Sequence, residues 1–288
     1  MAALAFIVFH GDRELDWLDL VLSELHLGAT YDAILRRRLW RRLPADVLLI
    51  PLIILGATFA LITAGHSVWI TSIGMYAAIW HRGRQNFGMA RYYQRSEKGP
   101  VSSAHGRLFA GAIYAPMIAA AFLYSHLVPD EIEGEPYFAL NAGPAIAWGA
   151  GLIALGWVLA YLIWTYKRNG QGVHPGENWI VLAHAVAFGS AYVLGAANAS
   201  FLFVLTIHHE VQYLYFTYAM ARRQTAPLQA PKSEIRFATS FALWPVIGLA
   251  GALSSSFYQV QWLAALGVGG LFCHYWLDGR IWTRRSMA

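Results

Sequence analysis

The stretch TIHHEVQYLYF, residues 206–216, lies in the middle of an apolar segment that runs from about residue 199 to residue 222. A polar group that faces lipid costs free energy unless it has a partner. At about 100° per residue, His208, His209 and Gln212 share one face of a helix. Interhelical hydrogen bonds are the ordinary use of such groups. Two imidazoles, a carboxylate and an amide together predict a metal or cofactor site instead.

The composition places the chain in a membrane. Hydrophobic residues make up 57% of it and charged residues only 13%, whereas charged residues are about a quarter of a soluble domain. The single cysteine, Cys273, excludes an intrachain disulfide framework and a multi-thiolate metal site. The net charge of +5 comes from basic residues at the ends of apolar segments. This arrangement indicates orientation in a bilayer rather than a nucleic-acid partner.

Eight apolar segments have about the 20 residues that a membrane-spanning helix needs. The connections between them are short, and neither a repeat nor a linker divides them. The sequence therefore predicts an all-α fold, a polytopic bundle of about eight transmembrane helices formed by residues 45–288. Residues 1–44 are predicted to form an N-terminal segment with an amphipathic helix at the membrane interface. The predicted segments are approximately 45–65, 66–84, 106–128, 142–166, 177–197, 199–222, 237–255 and 257–280.

Basic residues collect on one side of these segments. That side holds the run RRRLWRR at 36–42 and the basic residues between 82 and 107, while the opposite side has the acidic loop 129–136. Because basic loops stay in the cytoplasm, both termini are predicted to be cytoplasmic. The bacterial inner membrane is the expected location.

Five histidines from four segments fall in the cytoplasmic half of the predicted bundle, at a rise of about 1.5 Å per residue. They are His81, His184, His208, His209 and His274. His10 lies on the same side and is either a cap on the site or a solvated residue near the terminus. His26, His105 and His174 fall at interfacial or loop positions and are left out of the predicted site.

Acidic and hydroxyl side chains accompany these histidines. Asp278 follows His274 by four residues, so the two share a helix face. Metal-bound imidazoles usually donate their second N–H to a carboxylate or amide. Asp278 and Glu210 are therefore expected to orient ligands or to complete the metal shell. Tyr213, one turn beyond His209, is expected to donate a hydrogen bond near O₂.

Histidine ligands with carboxylates suit iron, zinc or copper. The HExxH signature of zinc hydrolases is absent, because Val211, Gln212 and Tyr213 follow His209–Glu210. Iron with open positions suits the activation of O₂, and burial in a bilayer restricts the substrate to lipid-soluble molecules. The sequence predicts a non-haem iron oxygenase that holds one or two iron ions. Its expected partners are O₂, a carotenoid or long-chain lipid, the membrane lipids and an electron-donor protein.

A family resemblance supports this class. The stretch NFGMAR at 86–91 resembles an HFGMAD-like motif, and His10–Gly11 with Asp16 is similar to an early HGxxD element. These motifs belong to the bacterial Brp/Blh-like carotene-cleaving oxygenases, membrane iron proteins that split β-carotene to retinal. Asn86 stands where that family has a histidine, and the first element carries two extra residues before its acid.

Two later elements follow in the same order. His208 with Gln212 has the spacing of a paired-histidine element, and His274 with Asp278 resembles a late His-to-Asp element. Gln212 replaces the second histidine of the family pattern. The resemblance implies His10, His208 and His274 as iron ligands. His81, His184 and His209 would then replace the missing ligands in a rebuilt site.

Two other functions compete with the oxygenase. A b-type haem electron-transfer protein would use axial histidines on facing helices, but the polar groups that accompany this cluster do not suit haem. A transporter with a His/Glu proton relay requires polar residues that continue to the far side of the membrane. The sixth and eighth segments are apolar beyond His208 and His274, apart from Gln259 and Gln261.

Overall fold

Helices account for nearly all of the described chain, as the long apolar runs predict. The computed structural model describes residues 12–96, 102–128, 131–132, 135–167, 175–195, 198, 201–225 and 261–281. Its helices are α1 (Asp12–Arg36), α2 (Leu39–Arg42), α3 (Ile50–Thr63), α4 (Ser67–Ser96), α5 (Ser103–Leu127), α6 (Pro144–Lys167), α7 (Pro175–Gly189), α8 (Leu202–Thr225) and α9 (Gln261–Ile281). Among these residues the predicted all-α class is confirmed.

Short irregular elements complete the fold. A π-helical turn, Ala45–Leu49, leads into α3, and a second one, Ser190–Leu194, extends α7. The acidic loop contains a small antiparallel hairpin of two-residue strands, β1 (Glu131–Ile132) and β2 (Glu135–Pro136). These strands are too short to change the fold class.

Three helices in the described part of the chain are long and apolar enough to cross a membrane. They are Ala45–Thr63, Ser103–Leu127 and Pro144–Lys167. Such helices identify an integral membrane protein. Helices α4, α7, α8 and α9 also lie at predicted segments but are shorter or more polar than these three, and residues 237–255 lie outside the described residues. Within the described residues the structure thus supports three of the eight predicted spans.

Large apolar side chains cover the outer faces of two of these helices. Leu52 and Ile53 on α3 are 67% and 58% exposed, and Leu152 and Ile153 on α6 are 70% and 63% exposed. A water-soluble protein rarely exposes so much contiguous apolar surface. Lipid solvates such faces because their side chains are apolar. The backbone polar groups need no contact with water, because a helix satisfies them internally.

The described chain divides into two compact units. The first unit comprises described parts of residues 8–70 and 206–288, with α1, α2, α3, α9 and most of α8. Within it, α9 packs against α3 and against α1. The predicted division of the chain at residue 44 stays a prediction.

Helix α1 buries one continuous face in the first unit. The buried residues recur at the spacing of a helix face and are His26, Ala29, Thr30, Ala33 and Ile34. Ala33 and Ile34 belong to an apolar core with Cys273 and Leu277 of α9. The polar members of the face, His26 and Thr30, lie one turn apart, and their burial requires polar partners.

The second unit comprises described parts of residues 71–205. Helix α5 packs against α6 and α7, and a side chain at Gly111 would overlap the Trp157 ring, so glycine permits this close approach. A buried polar clasp joins the three helices. His105 Nε2 lies 2.6 Å from Glu177 Oε1, and the Tyr161 hydroxyl donates to the same oxygen at 3.0 Å.

The predicted orientation can be tested with single cysteines. Cys273 is buried, and its thiol donates to the Pro51 carbonyl, so Cys273→Ser gives a background without reactive thiols. In that background we expect Glu131→Cys to be labelled only from outside the cell and Lys167→Cys only from the cytoplasm, because both side chains are exposed. A membrane-impermeant maleimide measures both. Labelling of Glu131→Cys only from the cytoplasm would contradict the orientation.

Candidate metal centre

Side chains from α1, α8 and α9 converge inside the first unit. Each helix contributes a histidine and, four residues later, a hydroxyl or carboxyl side chain on the same face. Glu210 joins them from α8. All seven side chains are buried, with at most 6% of each residue exposed: His26, Thr30, His209, Glu210, Tyr213, His274 and Asp278.

His26 lies between the two carboxylates of this cluster. Its Nδ1 is 2.6 Å from Glu210 Oε2, and its Nε2 is 3.5 Å from Asp278 Oδ2. The imidazole is 1% exposed. Buried carboxylates are stable only beside compensating positive charge or hydrogen-bond donors. The cluster therefore suits a cation, which is either the protonated imidazole or a bound metal ion.

Three aromatic rings fix the orientation of His26. Tyr213 stacks on the imidazole with ring centroids 3.9 Å apart, and His209 stacks at 4.7 Å. His274 meets it edge to face at 4.5 Å and 82°. A ring packed from several directions cannot rotate without displacing its neighbours. The nitrogens of His26 consequently keep their direction toward the carboxylates.

Hydrogen bonds around Thr30 determine which nitrogen of His274 carries the proton. The Thr30 hydroxyl donates to Asp278 Oδ1 at 2.6 Å, and the Tyr213 hydroxyl donates to the same oxygen at 2.8 Å. A hydroxyl has one proton, so Thr30 Oγ1 accepts from His274 Nδ1, which lies 3.0 Å away. Nε2 of His274 then carries the lone pair, which is the form of imidazole that binds a metal.

Donor atoms of His26, His209 and Glu210 converge closely enough for one metal ion. One ligand atom from each residue lies within 4.8 Å of the others. Two ligands that bind one metal at about 2.1 Å and at right angles lie about 3 Å apart. The 2.6 Å between His26 Nδ1 and Glu210 Oε2 is a hydrogen-bond distance, and a shared metal ion would move these two atoms about 0.4 Å further apart, which small side-chain rotations can supply. The residues present therefore fit a metal ion.

Five of the predicted site residues lie together in this unit: His209, Glu210, Tyr213, His274 and Asp278. His208 is half-buried on α8 and is not part of the converging donor group. His10 lies outside the described residues. His81 is buried on α4 in the second unit.

His184 has a different environment from the one predicted. It lies in the second unit, where its Nδ1 is 3.0 Å from Asn86 Nδ2 and its Nε2 is 3.0 Å from the Ile113 carbonyl oxygen. Both ring nitrogens are therefore occupied by hydrogen bonds that join α4, α5 and α7. Asn86, which stands where the resembled family has a histidine, is the side chain that binds His184.

His26 and Thr30 are not among the site residues that the sequence predicts. The many acids and leucines of α1 predict an interfacial position for His26. The missed signal is the spacing: His26 and Thr30 repeat the four-residue interval of His209 with Tyr213 and of His274 with Asp278. Three helices that each place a histidine one turn before a hydroxyl or carboxyl group form a pattern, whereas a single instance does not.

Comparison with known proteins gives no further assignment. A scan against protein-family models and searches of curated proteins and of solved structures found no match to this chain. The resemblance to the Brp/Blh-like oxygenases stays a prediction.

Proposed function

We propose that this chain is an integral membrane metalloenzyme that binds iron at His26, His209 and Glu210. In this proposal it uses O₂ to oxidise a lipid-soluble hydrocarbon. The observation that carries the proposal is the convergence of two buried imidazoles and one buried carboxylate within 4.8 Å. Two histidines and one carboxylate that leave open positions are the ligand set of non-haem iron(II) oxygenases.

The surrounding residues have supporting roles. Iron in such a site supplies the redox chemistry that activates O₂. His274 has its lone pair on Nε2 and is a candidate further ligand. Asp278 faces His26 Nε2 at 3.5 Å, as expected of a group that orients a metal-binding imidazole. Thr30 and Tyr213 hold Asp278 through hydrogen bonds of 2.6 and 2.8 Å.

Tyr213 has a more specific role than the sequence alone suggests. Its hydroxyl donates to Asp278 Oδ1 and its ring covers His26. We therefore assign Tyr213 to positioning of the His26 imidazole and the Asp278 carboxylate. Glu210 remains the candidate carboxylate ligand, with the Ser23 hydroxyl 3.4 Å from its other oxygen.

Burial in a membrane protein restricts the substrate class. The side chains of the site are buried, and the chain has helices apolar enough to cross a bilayer. A carotenoid or a long-chain lipid reaches such a site by partition from the membrane. Oxidative cleavage of a carbon–carbon double bond to carbonyl groups takes up O₂ without further electrons, whereas hydroxylation requires a donor protein.

The finer membrane arrangement belongs to the same proposal. Beyond the three spans already described, we propose that the remaining predicted segments, 237–255 among them, also cross the bacterial inner membrane and that both termini are cytoplasmic. Basic residues on one side support this orientation. With it, the histidines of α8 and α9 lie in the cytoplasmic half of the bilayer.

One observation favours a second candidate, a proton relay. Glu210, His26 and Asp278 form a continuous buried series with separations of 2.6 and 3.5 Å, and such series occur in proton-translocating proteins. Haem is less suited, because axial histidines direct their ring nitrogens at the iron from opposite sides. The His26 and His209 rings instead stack at an interplanar angle of 29°.

Lipid-dependent O₂ uptake tests the proposed activity. Iron-loaded protein in detergent, supplied with a carotenoid or a long-chain lipid extract, is expected to consume O₂ at a rate measurable with an oxygen electrode. The matched control is the same protein loaded with zinc, which accepts histidine and carboxylate ligands but has no redox chemistry. Equal O₂ uptake by the zinc and iron forms, or none from the iron form with any lipid extract, would exclude the oxygenase.

A further inference from the structure

An apolar groove lies between α4 and α5 in the second unit. Its volume is about 310 Å³, and the side chains that line it include Tyr76, Trp80, Tyr114, Met117, Ile118 and Ala121. Trp80 and Ile118 are each 57% exposed on its rim. Helix α5 is one of the helices apolar enough to cross a membrane. An exposed apolar groove on such a helix suits contact with the hydrocarbon of a bilayer.

A rigid aromatic wall forms one end of the groove. Trp80 stacks on Tyr114 with centroids 5.9 Å apart and an interplanar angle of 22°. The ring centroid of Phe87, farther along α4, lies 5.1 Å from that of Phe109 and 5.2 Å from that of Tyr114. Aromatic side chains packed in this way offer a fixed surface to an acyl chain, because few torsion angles remain to be ordered.

Arg84 lies at this aromatic end. One of its N–H groups donates to the Tyr114 hydroxyl. Its guanidinium carbon is 5.5 Å from the centre of the Phe87 ring and 5.9 Å from that of Trp80. Cation–π contacts at these distances are attractive. The charged group is thus held in place beside the groove although the residue is exposed.

The Arg84 guanidinium can bind an anion. It has five N–H donors in a planar fork that matches phosphate oxygens. Within the described residues its polar contact is the neutral Tyr114 hydroxyl, and no ion pair joins it to a carboxylate. In the proposed orientation this end of α4 faces the cytoplasm, whose membrane leaflet carries anionic lipids.

We propose that the groove binds an anionic phospholipid of the cytoplasmic leaflet. The phosphate accepts hydrogen bonds from Arg84, and an acyl chain lies against Trp80 and Ile118. Eight residues of α4 separate Tyr76, which lines the groove, from Arg84 beyond it, so the two positions lie about 12 Å apart along the helix axis at 1.5 Å per residue. The site lies wholly within residues 71–205 and is independent of the metal site.

Photo-crosslinking tests this assignment in the full-length protein. The probe is phosphatidylglycerol with a diazirine in its acyl chain, incorporated into nanodiscs, and the reference probe is phosphatidylcholine with the same chain. We expect crosslinks to residues 76–80 and 114–121 from phosphatidylglycerol at several times the yield from phosphatidylcholine. Equal yields from the two lipids would overturn the proposal.

Three variants separate the head-group contact from general charge. Arg84→Gln should lower the phosphatidylglycerol crosslink about tenfold, because a hydrogen bond to a charged group contributes about that factor. Ala121→Phe should block the groove without changing its charge. Arg41→Gln is the matched control, because Arg41 is also an exposed arginine over a tryptophan ring, that of Trp40. Equal effects of Arg84→Gln and Arg41→Gln, or full crosslinking in Ala121→Phe, would contradict the site.

Discussion

Protein with alanine at His209 is expected to lose its iron, whereas protein with alanine at the adjacent His208 is expected to keep it. His209 belongs to the converging donor group and His208 does not. Loss of a hydrogen-bond partner of a metal ligand typically costs about 10- to 100-fold in affinity, and loss of a ligand itself should cost at least as much. Iron content per chain, measured by mass spectrometry after anaerobic purification, is the readout.

The two variants are closely matched, because they remove the same ring from neighbouring positions of α8. Similar detergent gel-filtration profiles would establish that both fold. His26→Ala and Glu210→Gln should follow His209→Ala in losing iron. If His208→Ala and His209→Ala retain equal iron, the proposed ligand set is wrong, and if only His208→Ala loses it, the ligand set implied by the family resemblance is favoured.

Replacement of Asp278 by alanine is expected to destabilise the first unit by about 3–5 kcal/mol, the usual cost of removing one member of a buried charged network. Asp278 Oδ1 accepts from Thr30 and Tyr213, and Oδ2 faces His26. Without the carboxylate these buried polar groups lose their shared partner, and each pays for its desolvation. Unfolding should be measured on chelator-treated protein, so that the measured change in the free energy of unfolding does not include the loss of bound metal.

Asp46→Ala is the control for this substitution. Asp46 Oδ1 lies 3.2 Å from Arg280 Nε, with 25% and 40% of the two side chains exposed. An exposed ion pair of this kind contributes about 1 kcal/mol or less. The backbone carbonyl of Asp46, which accepts from Trp276 Nε1, is unchanged by the substitution. Equal destabilisation by Asp46→Ala and Asp278→Ala would contradict the assigned role of the buried carboxylate.

The helical class and three of the membrane spans could be predicted from the sequence, because long apolar runs leave few other solutions in a bilayer. The cluster on α8 and α9 was also predictable, since His209, His274 and Asp278 interrupt apolar segments in which polar groups need partners. Local sequence alone fixes the face and the depth of a side chain on its own helix.

The remaining features depend on which helices pack together, and local sequence does not determine that. The acidic and apolar residues of α1 predict an interfacial helix, whereas the buried face of α1, which includes His26, packs in the unit where α1 contacts α9. His184 was expected at the metal site from its depth alone. Its actual partners, Asn86 and the Ile113 carbonyl, come from helices that are distant in sequence. The depth of a residue along its helix axis does not specify which helix packs beside it.

The most direct test of the central claim is the metal content of the wild-type protein, measured together with its absorption spectrum after anaerobic purification. We expect at least stoichiometric iron per chain and no Soret band, because the buried His26, His209 and Glu210 donors suit non-haem iron. A Soret band would show that the protein binds haem. Protein that is free of iron, and that binds none when ferrous iron is added anaerobically, would contradict the proposed metal centre.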